Sequence, residues 1–511
     1  MTSSITSLGL VGLRCYPVTV EADVQSGISS FDLVGLPGAA VRESRDRVRA
    51  SIQNCGLTFP AGRIVINLAP ADQNKDTPIY DLPVLLALLC ASGQLPPQPQ
   101  SIAFLGELSL TGELRPVKGV LPMVRAAAEI GIRRIYVPEA NAVEAALEDR
   151  MEVYGAATTQ QLIEALCGRA PIPPAKTDLD ALLAQPPANQ LDFSEVRGQD
   201  LAKRALEIAA AGGHNLMMIG PPGAGKSMLA KRLPSILPPF TRQEALEVTA
   251  IHSVAGLLPP SGLVVTRPFR APHHTMSDIA LAGGGRIPRP GEVSLAHAGV
   301  LFLDELPEFG RSSLEVLRQP IEDGRITVSR VSGSSAFPSR CSLVAALNPC
   351  PCGYFGHPSR TCTCSQADIA RYLRKISGPL LDRIDLQIEV SPVTYDEMTA
   401  PPAECSAAIR RRVVAARERQ LRRFEGQPFF CNAGMEHRHL VEYCTLSGES
   451  GAFLRTAFER LDLSARSYDR LCKTALTIAD LEGADRIAPE HLAEAIRYRA
   501  LDQKYWRRRM A

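Results

Sequence analysis

The feature that most constrains this chain is a glycine-rich turn placed directly after an apolar run. The run is LMMI at 216–219, and the turn at 220–227 has the sequence GPPGAGKS, which fits G-x-x-x-x-G-K-[ST] at every position. Glycines at this spacing let backbone N–H groups surround phosphate oxygens, and the helix that follows presents its positive N-terminal end to them. The sequence therefore predicts a strand, a phosphate-binding loop and a helix, in preference to a glycine-rich turn without a nucleotide.

The loop predicts ATP and Mg²⁺ as cofactors. Lys226 would reach the β- and γ-phosphates, and the hydroxyl of Ser227 would hold Mg²⁺. An apolar segment, VLFL, ends in Asp304, which would support Mg²⁺, and Glu305, which would polarise the attacking water as general base. The alternative is a buried strand with a solvated acidic end. The position of this segment about 75 residues after the loop disfavours that alternative. The predicted nucleotide-binding residues are Gly220, Pro221, Pro222, Gly223, Ala224, Gly225, Lys226, Ser227 and Asp304.

Three more residues are predicted to act at the γ-phosphate. Asn348 ends the apolar run SLVAAL, and open α/β sheets bind ligands at the carboxyl ends of their strands, although a plain strand-ending asparagine is the alternative. The segment FSEVRGQ at 193–199 resembles the entry segment of AAA+ ATPases. This resemblance implies that Arg383 reaches the neighbouring subunit's γ-phosphate in an oligomer, unless it forms an ordinary surface pair with an aspartate. It also implies that Arg466, or as second choice Arg470, touches the γ-phosphate in cis from a helical lid.

Length, net charge and cysteine content limit the number of domains, the class of partner and the cellular compartment. At 511 residues the chain is too long for one core, and three domains are expected. A formal net charge of +2 gives no global signal for nucleic acid, so a polyanion site would be a local patch. No apolar run approaches the ~18 residues of a transmembrane helix, and the N-terminal segment lacks signal-peptide features. Thirteen cysteines, an odd number, predict reduced thiols and hence a cytoplasmic protein with no membrane partner.

Four of the cysteines form a candidate zinc site. Cys350, Cys352, Cys362 and Cys364 make two C-x-C pairs with nine residues between them, which could supply four thiolates to Zn²⁺. Free thiols or a transient disulfide are the alternatives. The adjacent histidines at 273 and 274 also suggest a metal, but neighbouring residues do not easily face one ion, so this interpretation is disfavoured.

A segment between the two carboxylates and Asn348 predicts a hairpin. ITVSRV at 326–331 is followed by a turn at 332–335 and returns through Arg340, which resembles the presensor hairpin of the helicase-like AAA+ branch. Such hairpins point into the pore of a ring. Arg325, Arg330 and Arg340 would then contact DNA phosphates, and solvated arginines on an exposed hairpin are the alternative.

The chain before the loop divides into a first domain, 1–168, and a proline-rich linker, 169–190, expected to be a semi-rigid spacer. Strands and helices alternate in the first domain. KDTPIYDLP at 75–83 and the following GELSLTGELRPV resemble the proteolytic domain of Lon. Its serine position is occupied here by Ile79 and its lysine position falls near Leu121, so a Ser–Lys dyad is absent and a structural or interaction role is favoured over an activity.

The predicted fold class is α/β: an AAA+ P-loop core at 191–395 with an α-helical lid at 396–511, preceded by the Lon-protease-like α+β domain. The lid opens with an arginine-rich helix. DNA phosphates, a neighbouring subunit or solvent could face its arginines. They are Arg410, Arg411, Arg412, Arg417, Arg419, Arg422 and Arg423.

Four long stretches resemble the ComM/YifB family of magnesium-chelatase-like AAA+ proteins: RPFRAPHH (267–274), PRPGEVSLAHAGVLFLDELPEF (288–309), NPCPCGYFG (348–356) and SARSYDRLCKTALTIADLEG (464–483). The resemblance implies a homo-hexameric ATP-driven ring. It also implies a helicase on single-stranded or branched DNA that promotes branch migration when transforming DNA recombines with the chromosome. A chelatase motor subunit shares the ATPase core and is the alternative, whereas an ATP-dependent protease would need the missing dyad.

Overall fold

Two β-sheets, each covered by helices, organise the chain, and a group of helices follows them. The computed structural model describes residues 2–184, 191–285, 288–330, 333–461 and 463–506. Among these residues, no helix combines the length and the apolar composition that crossing a bilayer requires.

The N-terminal unit contains ten strands and seven helices within its described residues. The strands are β1 (Thr2–Val11), β2 (Arg14–Gln25), β3 (Ser30–Val34), β4 (Arg63–Ala69), β5 (Ile102–Phe104), β6 (Glu107–Leu108), β7 (Leu114–Arg115), β8 (Arg134–Pro138), β9 (Glu152–Ala156) and β10 (Pro174–Ala175). The helices are α1 (Ala39–Arg42), α2 (Ser44–Asn54), α3 (Asp81–Ala91), α4 (Val120–Glu129), α5 (Glu139–Ala145), α6 (Thr159–Leu166) and α7 (Leu179–Leu183).

Eight of these strands form one mixed sheet in the order β10-β9-β8-β5-β1-β2-β4-β3. The first strand is central, since it pairs antiparallel with β2 along its whole length and parallel with β5. Helix α3 packs on β1 and β2, and every one of its side chains is buried, as expected for a helix that is apolar on all sides. Ile79 lies in the core of this unit.

The segment predicted as a spacer is partly built into the fold. Pro174–Ala175 extends the sheet by pairing antiparallel with β9. Leu179, the first residue of α7, is buried in an apolar cluster with Leu121 and Leu263, which joins the first domain to the ATPase unit. The remainder of the predicted spacer, residues 185–190, lies outside the described residues.

The second unit contains nine strands and ten helices within its described residues. The strands are β11 (Leu216–Ile219), β12 (Phe269–Arg270), β13 (Gly283–Gly284), β14 (Arg289–Pro290), β15 (Val300–Leu303), β16 (Arg325–Arg330), β17 (Gly333–Pro338), β18 (Ser342–Leu347) and β19 (Leu386–Glu389). The helices are α8 (Asp200–Gly212), α9 (Lys226–Arg232), α10 (Arg242–Ala255), α11 (Asp278–Ala282), α12 (Glu292–Leu295), α13 (Arg311–Val316), α14 (Arg318–Asp323), α15 (Gln366–Leu373), α16 (Gly378–Leu381) and α17 (Tyr395–Thr399).

The central sheet of this unit has the order β12-β15-β18-β11-β19, and all neighbouring strands are parallel. Successive side chains alternate between its faces, so that Met218 and Phe302 lie in one apolar core and Met217 and Leu301 in the other. The predicted parallel α/β core is therefore confirmed. All carboxyl ends of the strands meet at one edge, which we call the C-terminal edge, and the opposite edge is the N-terminal edge.

Five helices form the C-terminal unit: α18 (Ser406–Arg423), α19 (His437–Tyr443), α20 (Gly448–Leu461), α21 (Ala465–Glu482) and α22 (Pro489–Arg497). Helices α18 and α21 pack against each other and against α8. Their apolar side chains complete the core that contains Met218. The helical lid thus lies along one face of the parallel sheet.

Candidate nucleotide-binding site

The loop at 220–227 has the backbone that its glycines predict. Gly223 and Gly225 have φ angles of 80° and 90°, in the left-handed region that glycine adopts without strain. A Cβ at Gly220 would lie 2.2 Å from the carbonyl oxygen of Val390, so a larger residue would push apart β11 and β19. Gly225 caps α9, which begins at Lys226, and the N-terminal end of this helix faces the loop.

Four predicted residues meet at the C-terminal edge. Lys226 Nζ lies 3.1 Å from Asn348 Oδ1, and it also donates to the carbonyl of Gly220 at 2.7 Å. Ser227 Oγ donates to Asp304 Oδ2 at 2.6 Å. These groups line a cavity of about 380 Å³ together with the loop backbone and Glu305, a size that suits a small-molecule ligand.

The donor set at this cavity suits the predicted cofactors. A serine hydroxyl and a carboxylate are hard oxygen ligands of the kind that Mg²⁺ takes alongside phosphate oxygens. Burial lowers the pKa of the Lys226 amino group, while Asp304 and Glu305 raise it. The Lys226 ammonium group is buried and donates to two loop carbonyls and to Asn348 rather than to a carboxylate, which suits it to binding the β- and γ-phosphates.

The general base predicted from the sequence has an unusual backbone and a neighbour that was not predicted. Glu305 has a φ of 51°, which places this non-glycine residue in the left-handed region, and its N–H donates to Asp304 Oδ1 at 3.0 Å. His274 Nδ1 lies 3.5 Å from Glu305 Oε2. The sequence drew attention to His273 and His274 as metal ligands, whereas the structure directs His274 to the predicted base. His273 instead lies 2.9 Å from the hydroxyl of Thr275.

A second residue that sequence reasoning missed supports Asn348 from the other side. Tyr372, on α15, is buried, and the backbone of Asn348 lies close enough to its hydroxyl to lower the pKa of that group. Burial raises the pKa of this hydroxyl, and the charges of Glu308 and Glu305 raise it further. Tyr372 therefore stays protonated at neutral pH. A tyrosine within an amphipathic helix carries no sequence signal for such a role.

Arg383, Arg466 and Arg470 lie at the N-terminal edge, away from the loop. Arg383 precedes β19, and its carbonyl accepts a hydrogen bond from Asn215, which precedes β11. A four-residue strand rises roughly 13 Å, so this edge and the phosphate-binding loop are well separated within one chain. The location of Arg383 is compatible with the predicted action on a neighbour. In this chain its guanidinium pairs with Glu322 and not with an aspartate.

Arg466 does not line the cavity at the loop of its own chain, and its predicted action in cis stays a prediction. Arg466 is exposed and its nearest carboxylate is Asp382, at 3.9 Å beside Arg383. Arg470 is buried against Asp385, at 3.7 Å. Both positions follow from the packing of α21 on α8, which brings the start of α21 to the N-terminal edge. In this structure both arginines are directed at aspartates of that edge.

Asp385 anchors this edge electrostatically. It accepts a hydrogen bond from the N–H of Asn215 at 2.9 Å and lies 3.7 Å from both Arg470 and His214. Burial raises its pKa, but Arg470, His214 and the Asn215 N–H together lower it well below the usual range. The carboxylate is thus charged at neutral pH.

The predicted hairpin is present, as β16 and β17 pair antiparallel. Arg325 opposes Pro338 at its base, and Arg330 opposes Gly333 at its tip. The side chain of Arg330 and residues 331–332 lie outside the described part of the chain. Arg340 follows β17 and donates to the carbonyl of Pro428 at 3.0 Å, so it joins the hairpin base to the lid. Arg340 is thus engaged inside the chain, and the predicted contacts of Arg325, Arg330 and Arg340 with DNA stay predictions.

Most arginines of α18 are used inside the chain, which the sequence could not show. Arg412 pairs with Glu207 at 2.6 Å, Arg423 bonds Asp480, and Arg417 donates to the carbonyl of Ala211. Arg419 pairs with Asp485 at 2.6 Å. These contacts fasten α18 to α8 and α21. The basic patch predicted for DNA or a neighbouring subunit is thereby reduced to a few exposed arginines.

The four clustered cysteines come together as one group. Their sulfur atoms all lie within 4.8 Å of one another, and the separations from Cys350 to Cys352 and Cys362 are 3.4 and 3.7 Å. Four thiolates at the usual Zn–S length of ~2.3 Å in a tetrahedron would lie ~3.8 Å apart, so the group fits zinc closely. Backbone N–H groups of Cys352 and Phe355 point at two of the sulfurs, as outer ligand-supporting bonds do.

Comparison with known proteins decides the family. Three family models match: "Subunit ChlI of Mg-chelatase" at 20–141, "Magnesium chelatase, subunit ChlI" at 192–398 and "Magnesium chelatase, subunit ChlI C-terminal" at 403–499. The chain is 44% identical over 499 residues to an uncharacterized protein YifB of Salmonella typhimurium, with 96% of each chain covered. It is 43% identical to YifB of Escherichia coli, over 98% of this chain and 97% of that one. It is also 43% identical to the competence protein ComM of Haemophilus influenzae, with 97% of each covered.

This chain belongs to the ComM/YifB family of magnesium-chelatase-like AAA+ proteins. The family resemblance inferred from the sequence is therefore confirmed. Membership in an AAA+ ATPase family indicates use of a nucleotide and Mg²⁺, which agrees with the cavity at the C-terminal edge. The first domain matches a chelatase-subunit model, while its likeness to Lon remains a prediction.

Proposed function

We propose that this protein is an ATP-hydrolysing ring motor, a homo-hexamer in the cytoplasm, that acts on single-stranded or branched DNA. Its activity is that of a helicase that promotes branch migration when transforming DNA recombines with the chromosome. The observation that carries the proposal is the similarity to the competence protein ComM over 97% of both chains. A likeness of that extent includes the N-terminal domain, the ATPase core and the lid in the same order.

The residues at the C-terminal edge support the hydrolytic part of the proposal. The loop N–H groups and Lys226 bind the phosphates, while Ser227 and Asp304 hold Mg²⁺. Mg²⁺ supplies charge neutralisation for the phosphoryl group. Glu305 accepts a proton from the attacking water, and Asn348 orients that water from the end of the neighbouring strand, β18.

The N-terminal edge supports the ring. Arg383 lies at this edge, and Arg466 lies 3.9 Å from Asp382, the residue before Arg383; neither arginine lines the nucleotide cavity of its own chain. We propose that this edge meets the C-terminal edge of the next subunit, and that both arginines act in trans on its γ-phosphate. Arg383 must then exchange Glu322 for phosphate oxygens. The N-terminal edge is rich in cations, because Arg470, Lys473 and Arg499 also lie near Asp385.

A chelatase motor subunit is the second candidate function, and the three chelatase-subunit models favour it. Such a subunit would hydrolyse ATP without a response to DNA. The two functions therefore differ in one observable, the effect of DNA on the ATPase rate.

Branch migration on a synthetic four-way junction tests the proposal. Wild-type protein should resolve the junction into duplexes in the presence of ATP and Mg²⁺, and Lys226→Ala should not, because it lacks the phosphate-binding ammonium group. Single-stranded DNA should also raise the wild-type ATPase rate. Equal resolution by both proteins, or by neither, would refute the helicase function. An ATPase rate that DNA leaves unchanged would favour the chelatase candidate.

We further propose that Cys350, Cys352, Cys362 and Cys364 bind one structural Zn²⁺. The spacing of their sulfur atoms and the N–H groups directed at them support this assignment. Metal analysis of the purified, chelator-washed protein tests it. About one zinc per chain is expected, and a metal-free protein would exclude the site.

A further inference from the structure

The segment from Cys350 to Cys364, which we call the cysteine knuckle, closely follows Asn348, one of the residues predicted to act at the γ-phosphate. It begins two residues after Asn348 and ends at the residue before Ser365, which caps α15. It therefore connects the carboxyl end of β18 to the helix that carries Tyr372. The hydroxyl of Tyr372 in turn interacts with the backbone of Asn348, so the helix at one end of the segment returns to the residue that precedes its other end.

The cysteine knuckle also touches the phosphate-binding loop. Gly353 is buried in a left-handed turn, with a φ of 85°. A Cβ at this position would lie 2.6 Å from Cδ and 3.1 Å from Cγ of Pro222, and 3.9 Å from Cγ of Asn348. The backbone of the turn is thus packed against the ring of Pro222. A proline ring cannot rotate away as a long side chain can, so its position and that of the knuckle are coupled.

Apolar packing supports this segment at Cys350, which is buried in the core, and at Phe355, which packs against that core, but not in the part of the turn that follows Phe355. The turn between the two cysteine pairs is held by local polar contacts, in which His357 Nδ1 accepts from the N–H groups of Ser359 and Arg360. Tyr354 accepts from Arg360 Nη1 at 2.7 Å. Cys350 is the buried member of the cluster, while the other three cysteines are partly exposed. A bound metal would supply the cross-links that such a short, polar loop otherwise lacks.

We propose that the metal-bound cysteine knuckle positions the phosphate-binding loop and Asn348, acting through the contact of Gly353 with Pro222 and through Tyr372. This inference rests on the proposed binding of zinc and ATP but not on the action on DNA. Zinc here is a structural part of the nucleotide site. Its loss should weaken ATP binding, even though no cysteine touches the nucleotide cavity.

Two glycine variants separate this role from general stability. Gly353→Ala places a methyl group against Pro222 and leaves all four cysteines in place. Gly356→Ala is the matched control, because Gly356 is also left-handed, with a φ of 74°, but nothing lies within 4 Å of its Cβ position. Both variants incur a similar backbone penalty. Only Gly353→Ala should displace the loop.

Zinc content and affinity for a fluorescent ATP analogue are measured for each protein. Gly353→Ala should retain wild-type zinc and bind the analogue about tenfold more weakly, because the loop loses a phosphate hydrogen bond. Gly356→Ala should match wild type in both. Cys362→Ser should lose zinc and show a similar loss of affinity, whereas Cys405→Ser, at an exposed cysteine, should change neither.

The possible results distinguish the positioning role of the cysteine knuckle from the proposed ATPase and DNA activities. Wild-type affinity in Gly353→Ala, or in zinc-free Cys362→Ser, would overturn the positioning role while leaving the ATPase intact. A wild-type protein without zinc would overturn it as well. If Cys362→Ser does not fold, wild-type protein stripped by a chelator replaces it, and restored affinity on addition of Zn²⁺ is the expected result. Failure of branch migration would leave all these readouts unaffected.

Discussion

At the scale of single residues, the contact between His274 and Glu305 bears on how the general base is aimed. The left-handed backbone of Glu305 stores a small amount of strain, of a kind that persists where a side chain must have a defined direction. His274 Nδ1 lies 3.5 Å from Oε2 of its carboxylate. The ring of His274 is itself held against Phe309, so it can restrict where the carboxylate points.

We expect His274→Ala to lower kcat by about tenfold, because a freely rotating carboxylate is seldom aligned with the attacking water. The affinity for ATP should stay within about twofold of wild type, because His274 does not line the cavity that holds the phosphates. Steady-state ATPase kinetics and analogue binding measure the two effects. His273→Ala is the comparison variant and should cause the smaller loss, because it keeps the His274 imidazole although the two rings lie 4.2 Å apart between centroids. Equal losses in both variants would show that the contact with Glu305 is irrelevant.

A second prediction at this scale concerns Asp385 and stability. Its folded-state pKa is lowered, so the carboxylate stabilises the fold above its unfolded pKa of ~3.9, and this contribution is lost as the pH falls toward the folded value. Asp385→Asn should cost about 3 kcal/mol at pH 7, because it leaves Arg470 buried without its charge partner. The difference from wild type should shrink below about pH 4. Urea unfolding at pH 7 and pH 3 measures it, and a larger difference at pH 3 would contradict the assignment.

At the scale of elements, helix α10 is the joint between the first domain and the ATPase core. Ser253 Oγ donates to the buried carboxylate of Glu144, and the N–H of Leu121 donates to the same oxygen at 2.8 Å. Around them, Leu121 packs with Ala245 and Leu263. The position near Leu121, where the Lon comparison places a lysine, is therefore an apolar part of this joint. The first domain is positioned to sense movements of α10.

The first domain also supports the hairpin. Leu13, in the turn between β1 and β2, packs on Ile326, Val328 and Phe337 of the hairpin. A Cβ at Gly12 would lie 2.8 Å from Cβ of Ser335, so the turn lies directly on β17. Through these two contacts the first domain supports the hairpin, for which the sequence predicts contacts with DNA.

We expect Ser253→Ala to destabilise the chain by about 1–2 kcal/mol, because the buried carboxylate of Glu144 loses a donor and cannot be solvated. Burial already raises the pKa of Glu144, which shows that its charge is not fully compensated. Urea unfolding measures the loss. Gln243→Ala, on the exposed side of the same helix, should change stability by less than about 0.5 kcal/mol. If Ser253→Ala leaves the stability to urea unchanged, α10 and the first domain are held together by apolar packing alone.

The elements around the nucleotide were largely predictable from sequence, and the ones that join units were not. β11, β15 and β18 are short apolar runs followed by polar residues, so Lys226, Asp304 and Asn348 could be placed at one sheet edge. β1 was missed, because its alternation is interrupted and its ten residues gain their order from pairing with β2. Partners far apart in the chain, such as Glu322 for Arg383, carry no local signal.

At the scale of the whole molecule, the packing of the lid determines at which edge of the parallel sheet its arginines lie. Because α18 and α21 pack on α8, the arginines of the lid and of the β19 loop share the N-terminal edge. In the proposed ring, one chain therefore carries its phosphate-binding loop at one edge of the sheet and the arginines for the next chain's nucleotide at the opposite edge. Closed head-to-tail rings place such unlike edges together at every interface, which is why an isolated chain should hydrolyse ATP poorly.

Mixing two inactive variants tests this arrangement. Lys226→Ala lacks a working loop but keeps Arg383, while Arg383→Ala keeps the loop but lacks the arginine. Each alone should lose most of its ATPase activity. In a random one-to-one ring, about a quarter of the interfaces join an intact loop to an intact arginine, so up to about a quarter of the wild-type rate should return.

The control for the mixture is Arg383→Ala combined with the double variant Lys226→Ala, Arg383→Ala. That ring contains intact loops but no intact arginine, so its activity should remain at the level of Arg383→Ala alone. Recovery in the first mixture and not in the second can arise only if Arg383 serves a loop on another chain, because neither variant gains a missing group of its own. Absence of recovery, although the two variants form mixed rings by size-exclusion chromatography, would place Arg383 in service of its own chain and would contradict the separation of the two edges seen in the structure.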